Sequence, residues 1–212
     1  MAKLYFRFGA MNSSKSQLLM TSAFNYEERG QRVVVIKPGT DVKGGSMLVS
    51  RAGMSRKVDL LVGPDQSPWE AIEDDGGPKV ACLFVDEAQF LSPAQAEDLF
   101  LITVLANVPV IAYGLRTDFR GQPFPGAARL LELAHTLEEI KTICRCGSKA
   151  LFNARFLHGT ITLDGPQVAV EGVTDGETYE SLCGACYVAA LNTAGLGLPL
   201  GTGARRLAGA GI

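Results

Sequence analysis

Residues 3–16 read KLYFRFGAMNSSKS, and this stretch decides the fold. Apolar and more polar residues alternate from 4 to 8, a pattern that predicts a short strand. Gly9 ends the strand, and Lys15 and Ser16 follow where a helical pattern begins. A strand, a tight turn and a helix that begins with Lys-Ser are typical of a phosphate-binding loop, where backbone N–H groups and the helix dipole attract anions. The lysine of such a loop contacts the outer phosphates, and the hydroxyl ligates Mg²⁺.

The loop departs from the usual G-x-x-x-x-G-K-[ST] pattern, because Ser14 stands where the second glycine belongs. Glycine serves at that position because it allows a positive φ or a close approach to phosphate. Serine adopts such a conformation at some cost in strain. We expect the loop to bind ATP with added strain at Ser14. On the motif alone, a chance Lys-Ser pair at a helix start is the alternative.

The composition is that of a globular protein with one large domain, or one domain and a small satellite. Of the 212 residues, 47% are hydrophobic and 20% are charged, and the net charge is −2. A near-neutral chain gives no electrostatic argument for binding nucleic acid. The sequence has no long apolar segment and no signal-peptide pattern, so we expect a cytoplasmic protein without membrane contact. Five cysteines in a reducing compartment favour metal binding or catalysis over disulfides.

The pattern after the loop predicts alternating helices and strands, and therefore an α/β fold with a parallel sheet. Helical periodicity covers residues 17–29, and the β-branched run 32–37 (RVVVIK) is typical of a strand buried on both faces. Further strands are predicted at 80–85, 109–113 and 136–143, with short strand-like runs at 159–163 and 167–170. Further helices are predicted at 93–106 and 127–134, the first with Ser92 as its N-cap and Pro93 as its first residue. Residues 37–55 are interpreted as a mobile segment or a hairpin near the phosphates. Asp41 and Arg51 are its chemical candidates, with ordinary surface charges as the alternative.

Two acids follow the buried run VACLFV at 80–85. Asp86 and Glu87 are expected at the carboxyl end of a parallel strand, where open α/β sheets bind their ligands. Asp86 would orient Mg²⁺ or its water shell, and Glu87 would accept a proton from an attacking hydroxyl. The alternative is an exposed pair of acids at a strand end. Cys82, inside the strand, is expected to be an inert core residue.

The polar loop 114–126 carries two aromatic residues, Phe119 and Phe124. Aromatic side chains in a loop form the wall of a ring-binding pocket in some proteins. In others they attach the loop to the core, and both interpretations stay open on the residues alone.

Four cysteines form two close pairs, Cys144 with Cys146 and Cys183 with Cys186. Four thiolates in two pairs fit a tetrahedral Zn²⁺ site, with a disulfide or an iron–sulfur centre as alternatives. Four protein ligands leave no open coordination position, so this zinc would be structural. It would fix both ends of residues 147–182, a segment too small for its own core and suited to be a lid.

We therefore predict three parts of the chain. Residues 1–143 form a P-loop NTPase-like α/β nucleotide-binding domain, with a parallel sheet flanked by helices. Residues 144–192 form a small zinc-ribbon-like lid domain. The glycine-rich residues 193–212 are expected to be a disordered tail.

Five segments in chain order closely resemble the cytosolic, zinc-containing (type II) thymidine kinases. They are GAMNSSKS (9–16), FVDEAQF (84–90), YGLRTDFRGQPF (113–124), KTICRCG (141–147) and TYESLCGAC (178–186). The resemblance covers roughly residues 1–190 and implies transfer of the γ-phosphate of ATP to the 5′-hydroxyl of thymidine and deoxyuridine, which gives dTMP from thymidine in pyrimidine deoxynucleotide salvage. It also implies Mg²⁺, structural Zn²⁺, a homotetramer and feedback inhibition by dTTP.

The resemblance assigns roles position by position, with Glu87 as the general base. The implied ATP contacts are Gly9, Ala10, Met11, Asn12, Ser13, Ser14, Lys15, Ser16, Asp86, Glu87, Ala88 and Gln89. The implied nucleoside contacts are Met11, Phe90, Phe119, Phe124, Val170, Glu171, Gly172, Val173, Thr174 and Tyr179. The implied metal ligands are Ser16 and Asp41 for magnesium, and Cys144, Cys146, Cys183 and Cys186 for zinc. Tyr179 belongs to the implied lasso loop over the nucleoside, and the run before it looks longer than is usual in the family.

Two rival classes fit part of these features. One is another P-loop NTPase, although no N-K-x-D guanine-specificity motif occurs. The other is a non-catalytic zinc-ribbon module that binds a protein or a nucleic acid, which the near-neutral charge and the acids after the strand weigh against.

Overall fold

The chain forms two compact units in this computed structural model, which describes residues 1–39, 45–73, 77–167 and 175–197. The first unit comprises Met1–Arg116 and Pro123–Ile140. The second comprises Thr117–Gln122 and the described residues from Lys141 onward. The predicted domain boundary at residue 143 stays a prediction. Most of the predicted tail, residues 198–212, lies outside the described residues.

A parallel sheet is the framework of the first unit, as the buried strand runs predict. The strands of this unit are β1 (Leu4–Phe8), β2 (Val33–Pro38), β3 (Met47–Val49), β4 (Ser55–Lys57), β5 (Leu60–Val62), β6 (Cys82–Val85), β7 (Val110–Gly114) and β8 (Thr136–Glu139). Six of them form one sheet in the order β5-β2-β6-β7-β1-β8, with every neighbouring pair parallel. The other two, β3 and β4, form an antiparallel hairpin.

Helices cover both faces of the sheet. They are α1 (Lys15–Glu27), α2 (Pro93–Leu101), which continues as a π-helical turn over Ile102–Ala106, and α3 (Pro125–Leu133). One face packs on α1 through Leu19, and the other packs on α2 and α3 through Leu99 and Leu130. Successive apolar side chains of β2, from Val33 to Ile36, alternate between the two cores, and every residue of the strand is buried. The α/β fold is therefore confirmed.

The start of α2 is fixed by a capping box, consistent with the predicted cap at Ser92 and Pro93. The Ser92 hydroxyl accepts a hydrogen bond from the backbone N–H of Gln95 at 3.2 Å, and the Gln95 side chain accepts one from the backbone N–H of Ser92 at 2.9 Å. The Gln95 amide also donates to the carbonyl oxygens of Gly63 and Gln66, each at 2.8 Å.

A small antiparallel sheet forms the core of the second unit. Its elements are β9 (Phe152–Leu157), β10 (Thr160–Ile161), β11 (Glu177–Leu182) and α4 (Gly184–Thr193), with the strand order β10-β9-β11. The ring of Phe152 stacks on the ring of Tyr187 at 4.6 Å, which packs α4 on β9. Most of the strand-like run predicted at 167–170 lies outside the described residues. Within the described ranges, every helix is too short or too polar to cross a membrane.

Candidate active site

A glycine is required at the turn between β1 and α1. A Cβ atom at Gly9 would collide with the carbonyl oxygen of Ile140 and the hydroxyl of Ser13. The backbone N–H of Gly9 donates to the carbonyl oxygen of Gly114 at 3.3 Å. The first residue of the loop after β1 therefore contacts the last residue of β7. This close approach explains the glycine that begins the motif.

The backbone of the loop enters the left-handed region twice, at Asn12 with φ 63° and at Ser14 with φ 61°. Ser14 is the residue that precedes α1, and its side chain makes no capping hydrogen bond to the helix. The structure therefore confirms the expected positive φ where the usual motif carries glycine. Most residues other than glycine avoid this conformation because the Cβ atom crowds the following carbonyl oxygen.

The ammonium group of Lys15 folds back into the loop, and the residue is only 9% exposed. Its Nζ donates to the carbonyl oxygen of Ala10 at 2.9 Å and lies 3.3 Å from the hydroxyl of Ser13. Burial lowers the pKa of Lys15, and the charges of Glu87 and Asp86 oppose that shift. The two acids that follow β6 therefore lie close to this ammonium group.

The carboxylate of Asp86, which follows β6, is hydrogen-bonded to the start of α1. It accepts a hydrogen bond from the Ser16 hydroxyl at 2.9 Å, and the residue is 5% exposed. Burial raises the pKa of Asp86 to about 7, the charge of Glu87 adds to the shift, and the Ser16 bond opposes it. A divalent cation would favour the ionised form, and hydroxyl and carboxylate oxygens are ligands that Mg²⁺ prefers. These two residues therefore fit a magnesium site, whereas Asp41 lies outside the described residues.

Glu87 begins a sharp turn immediately after β6 and Asp86. Its backbone is left-handed, with φ 49° and ψ 38°, and it precedes the 3₁₀ turn Ala88–Phe90. Its Oε2 atom accepts a hydrogen bond from the Gln89 side chain at 2.6 Å. The structure thus brings Glu87 and Asp86 together with the loop residues Lys15 and Ser16 at the carboxyl edge of the sheet, as the strand-end pattern predicts.

Two of the predicted nucleoside contacts pack against each other in the first unit. The rings of Phe90 and Phe124 meet edge to face at 5.5 Å, with Phe124 only 4% exposed. A Cβ atom at Gly126 would collide with the carbonyl oxygen of Leu91, so the start of α3 lies directly on the turn that carries Phe90. Met11 lies in the phosphate loop and is half-buried.

Phe119, in contrast, belongs to the second unit. Its carbonyl oxygen accepts a hydrogen bond from the Tyr187 hydroxyl at 2.7 Å, and its ring lies 5.4 Å from the guanidinium of Arg155. Tyr179 lies in β11 of the same unit. The predicted base contacts at 170–174 lie outside the described residues, and the nucleoside contacts of Phe119 and Tyr179 stay predictions.

The four paired cysteines of the second unit converge. The sulfur atoms of Cys144, Cys146, Cys183 and Cys186 all lie within 4.8 Å of one another. A turn closed by the bond from the Gly147 N–H to the Cys144 carbonyl oxygen, 2.8 Å, presents the first pair. The second pair lies at the start of α4, where the Cys183 sulfur accepts from the Cys186 N–H.

These thiols fit a tetrahedral metal ion. Zinc bound by four thiolates at about 2.3 Å places its sulfur atoms about 3.8 Å apart, and Cys146 and Cys183 are 3.6 Å apart. Hydrogen bonds from Ser148 lower the pKa of Cys146 to about 6, whereas the neighbouring thiols, Cys144 first, raise the pKa of Cys186 to about 12. Thiols this close do not all ionise without a cation, so the cluster is suited to one.

Comparison with known proteins identifies the family to which the chain belongs. The family model described as Thymidine kinase matches residues 2–187 of the chain. This chain belongs to the thymidine kinase family. It is 42% identical over 189 residues to the thymidine kinase of Chromobacterium violaceum, and the aligned region covers 88% of this chain and 98% of that protein. The thymidine kinase of Xanthomonas oryzae is 46% identical over 187 residues, covering 86% and 87%. That of phage T4 is 40% identical over 189 residues, covering 86% and 94%.

One contact in the site of this kinase does not follow from the sequence pattern. The resemblance assigns Gln89 to ATP, and in the structure the Gln89 side chain also bonds to the carboxylate of Glu87. The pattern did not single out Gly114 either, where a Cβ atom would lie 2.8 Å from the Gln89 Oε1 atom. A glycine at the end of a buried strand was the available signal, because it marks a close approach of another group.

Proposed function

We propose that Glu87 is the general base when this kinase transfers the γ-phosphate of ATP to the 5′-hydroxyl of thymidine or deoxyuridine. The observation that carries the proposal is the convergence of Lys15, Ser16, Asp86 and Glu87 at one edge of the sheet. Asp86 bonds to the Ser16 hydroxyl and is assigned with it to Mg²⁺, which leaves Glu87 as the acid for proton transfer. A carboxylate there accepts the hydroxyl proton as the new O–P bond forms, and ADP leaves with the electrons of the broken bond.

The phosphates of ATP are assigned to the loop from Gly9 to Ser16. Its backbone N–H groups and the start of α1 supply partial positive charge, and Lys15 supplies a full charge for the outer phosphates. Ser16 and Asp86 would hold Mg²⁺, which neutralises charge on the phosphates when it is bound. Asp41 is a further magnesium ligand in this proposal, carried by the resemblance alone.

The thymine ring is assigned to the apolar surface made by Phe90 and Phe124. In an edge-to-face pair, the half-buried ring of Phe90 can offer its apolar face to a planar base while Phe124 holds it in place. Met11 is proposed to contribute from the phosphate loop. Phe90 lies on the turn that Glu87 begins, which supports the same turn contacting both ends of the nucleoside.

The metal held by the four cysteines is proposed to be Zn²⁺ with a structural role. Thiolate ligands favour zinc among the metals available in a reducing compartment. Four protein ligands complete its tetrahedral coordination, so it takes no part in the phosphoryl transfer. The cysteines instead join the turn at Cys144 to the start of α4.

The finer properties of the family are proposed for this chain as well. These are a cytoplasmic location, assembly as a homotetramer and inhibition by dTTP, and each rests on the resemblance. Light scattering tests the assembly, because a tetramer of this 22.5 kDa chain has four times the mass of the monomer. A monomeric mass would contradict that part of the proposal.

Incubation with ATP, Mg²⁺ and thymidine tests the activity. The expected product is thymidine monophosphate, formed in equal amount to ADP. A Lys15→Met variant serves as the control, because it keeps the length of the side chain but removes the charge that binds the phosphates. Release of ADP at the same rate without any nucleoside would contradict the proposal and indicate another P-loop ATPase.

A further inference from the structure

We propose that Gln89 is the positioning residue that holds the Glu87 carboxylate ready to accept the proton of the nucleoside 5′-hydroxyl. The inference rests on the proposed role of Glu87 and goes beyond it, because the resemblance assigns Gln89 to nucleotide contact. In the structure, the Gln89 side chain bonds to protein atoms at both ends of its amide, and the residue is 1% exposed.

Both ends of the Gln89 amide are engaged. Its Nε2 atom donates to the Oε2 atom of Glu87 at 2.6 Å, and its Oε1 atom accepts from the backbone N–H of Leu115 at 2.9 Å. A backbone N–H only donates, so the oxygen of the amide faces Leu115 and the NH₂ group faces Glu87. This chain of bonds fixes the orientation of the amide without reference to any ligand.

The backbone partner of the amide, Leu115, lies at the end of a strand of the sheet. Leu115 follows directly on β7, and the carbonyl oxygen of the preceding Gly114 accepts from the backbone N–H of Gly9 in the phosphate loop. The amide therefore links Glu87 to the same strand end that contacts the phosphate loop. The absent side chain of Gly114 gives the amide its place, since a Cβ atom would lie 2.8 Å from its Oε1 atom.

Glu87 needs such a support because two effects act against one fixed orientation of its side chain. Asp86 beside it carries a second carboxyl group, whose charge repels that of Glu87. A glutamate has three rotatable side-chain bonds, and fixing them in the reactive geometry has an entropic cost. The bond from Gln89 engages Oε2, and we assign the hydroxyl proton to the other oxygen, Oε1.

Gln89→Met tests the inference, because methionine matches the length of the side chain and removes both hydrogen bonds. We expect kcat to fall by roughly ten- to a hundredfold, as for other losses of a group that orients a reacting residue. The KM values for ATP and thymidine are expected to stay within about twofold, since substrate contacts remain. A rise in the KM for ATP with kcat preserved would overturn the inference in favour of direct nucleotide contact.

Gln95→Met is the matched control for the loss of a buried amide. Gln95 is also buried, and its amide bonds to the carbonyl oxygens of Gly63 and Gln66 instead of to an acid that follows β6. This variant is expected to lower the melting temperature and to keep kcat within about twofold of the parent. If it lowers kcat as much as Gln89→Met does, the effect at Gln89 is a loss of packing and the inference fails.

A double-mutant cycle with Glu87→Gln separates this inference from the proposed function. If Gln89 acts through Glu87, adding Gln89→Met to Glu87→Gln changes kcat by less than about twofold. Equal losses in the two backgrounds would overturn the inference while leaving Glu87 as the base. Parent-like kcat in Glu87→Gln alone would instead reject the proposed function itself, and the inference with it.

Discussion

Besides Asn12, two residues at the candidate site, Ser14 and Glu87, hold left-handed backbone conformations that side chains with a Cβ atom seldom adopt. Their φ angles are 61° and 49°. Each such conformation costs about 1 kcal/mol or more, and it persists where the surrounding structure holds it. One precedes the helix that carries Lys15, and the other is the proposed base. Backbone strain is therefore stored at the groups assigned to phosphate binding and proton transfer.

At Ser14 the strain leads to a prediction. Ser14→Gly is expected to bind ATP more tightly and to raise the free energy of unfolding by up to about 1 kcal/mol, because glycine adopts the positive φ without steric cost. Calorimetric titration with ATP and urea unfolding measure the two effects. Ser14→Ala is the control, since it keeps the Cβ atom and gains nothing. Unchanged affinity and turnover in Ser14→Gly would show that strain at this position has no consequence.

Asp86 predicts a pH dependence of stability in the protein without ATP or Mg²⁺. Burial raises the pKa of Asp86 to about 7, against about 3.9 for an aspartate in an unfolded chain. The folded state therefore holds the proton more tightly. The contribution of Asp86 to the free energy of unfolding falls as pH rises from about 4 to about 7, by about 1.4 kcal/mol per pH unit, and levels off above.

Comparison with Asp86→Asn isolates this contribution, because the variant keeps every other titrating group. Urea unfolding at several pH values is expected to show the parent losing stability relative to the variant up to about pH 7 and no further change above it. Parallel stability curves for the two proteins over that range would show that the Asp86 pKa is not raised.

Among the secondary-structure elements, the 3₁₀ turn Ala88–Phe90 depends on the start of α3. A Cβ atom at Gly126 would collide with the carbonyl oxygen of Leu91 and would lie 3.1 Å from that of Gln89. The helix and the turn therefore meet backbone to backbone. The same contact sets the edge-to-face packing of Phe90 on Phe124.

Gly126→Ala is predicted to separate these elements. The expected result is a loss of about 1–3 kcal/mol in the free energy of unfolding, as for other overpacked sites, and a several-fold higher KM for thymidine. Gly184→Ala is a matched control at the start of α4, because its added Cβ atom lies 3.7 Å from Phe152, an ordinary contact. Thermal unfolding and initial rates measure both variants. A Gly126→Ala protein equal to the control would contradict this packing.

The elements that the sequence predicts are those with a single strong pattern. The β-branched run in β2 and the apolar run in β6 identify buried strands, and Ser92 with Pro93 identifies the start of α2. Three strands were missed, namely β5, β9 and β11. Their burial mixes exposed and buried positions without regular alternation, so neither strand pattern applies. The helix predicted to 106 changes to a π-helical turn at Ile102, which periodicity does not reveal.

At the scale of the whole molecule, the two compact units are not continuous segments of the sequence. Residues Thr117–Gln122 belong to the second unit, although the chain before and after them belongs to the first. Hydrogen bonds from the Asn153 side chain to the Thr117 carbonyl oxygen and from the Tyr187 hydroxyl to the Phe119 carbonyl oxygen attach this segment to the second unit. Both partners are remote in sequence, so no local pattern predicts them.

The meeting of Lys15 with Glu87, in contrast, followed from sequence. The carboxyl ends of parallel strands lie at one edge of a sheet, so a loop after β1 and acids after β6 are brought together by topology alone. The contact between Gln89 and Glu87 depends on side-chain rotamers within a 3₁₀ turn, which no strand rule specifies. The sequence thus predicts that Lys15 and Glu87 lie at the same edge of the sheet, whereas side-chain packing determines which residue orients Glu87.

Removal of the metal is predicted to unfold the second unit selectively. The cysteine sulfurs lie beside a small core that includes Ala154 and Leu182, which is too small to persist without a bound ion. Hydrogen exchange after chelation is expected to lose protection in β9 and β11 and to retain it in β2 and β6. Cys82→Ala is the control and is expected to keep the metal. Protection unchanged in β9 after complete loss of zinc would contradict a structural role.

The turnover of Glu87→Gln with ATP, Mg²⁺ and thymidine is the most direct test of proton transfer by Glu87. The amide keeps the shape of the side chain but cannot accept the hydroxyl proton. We predict that kcat falls by about a hundredfold or more while the dissociation constant for thymidine stays within about twofold. A kcat equal to that of the parent would contradict the role of Glu87 as the base.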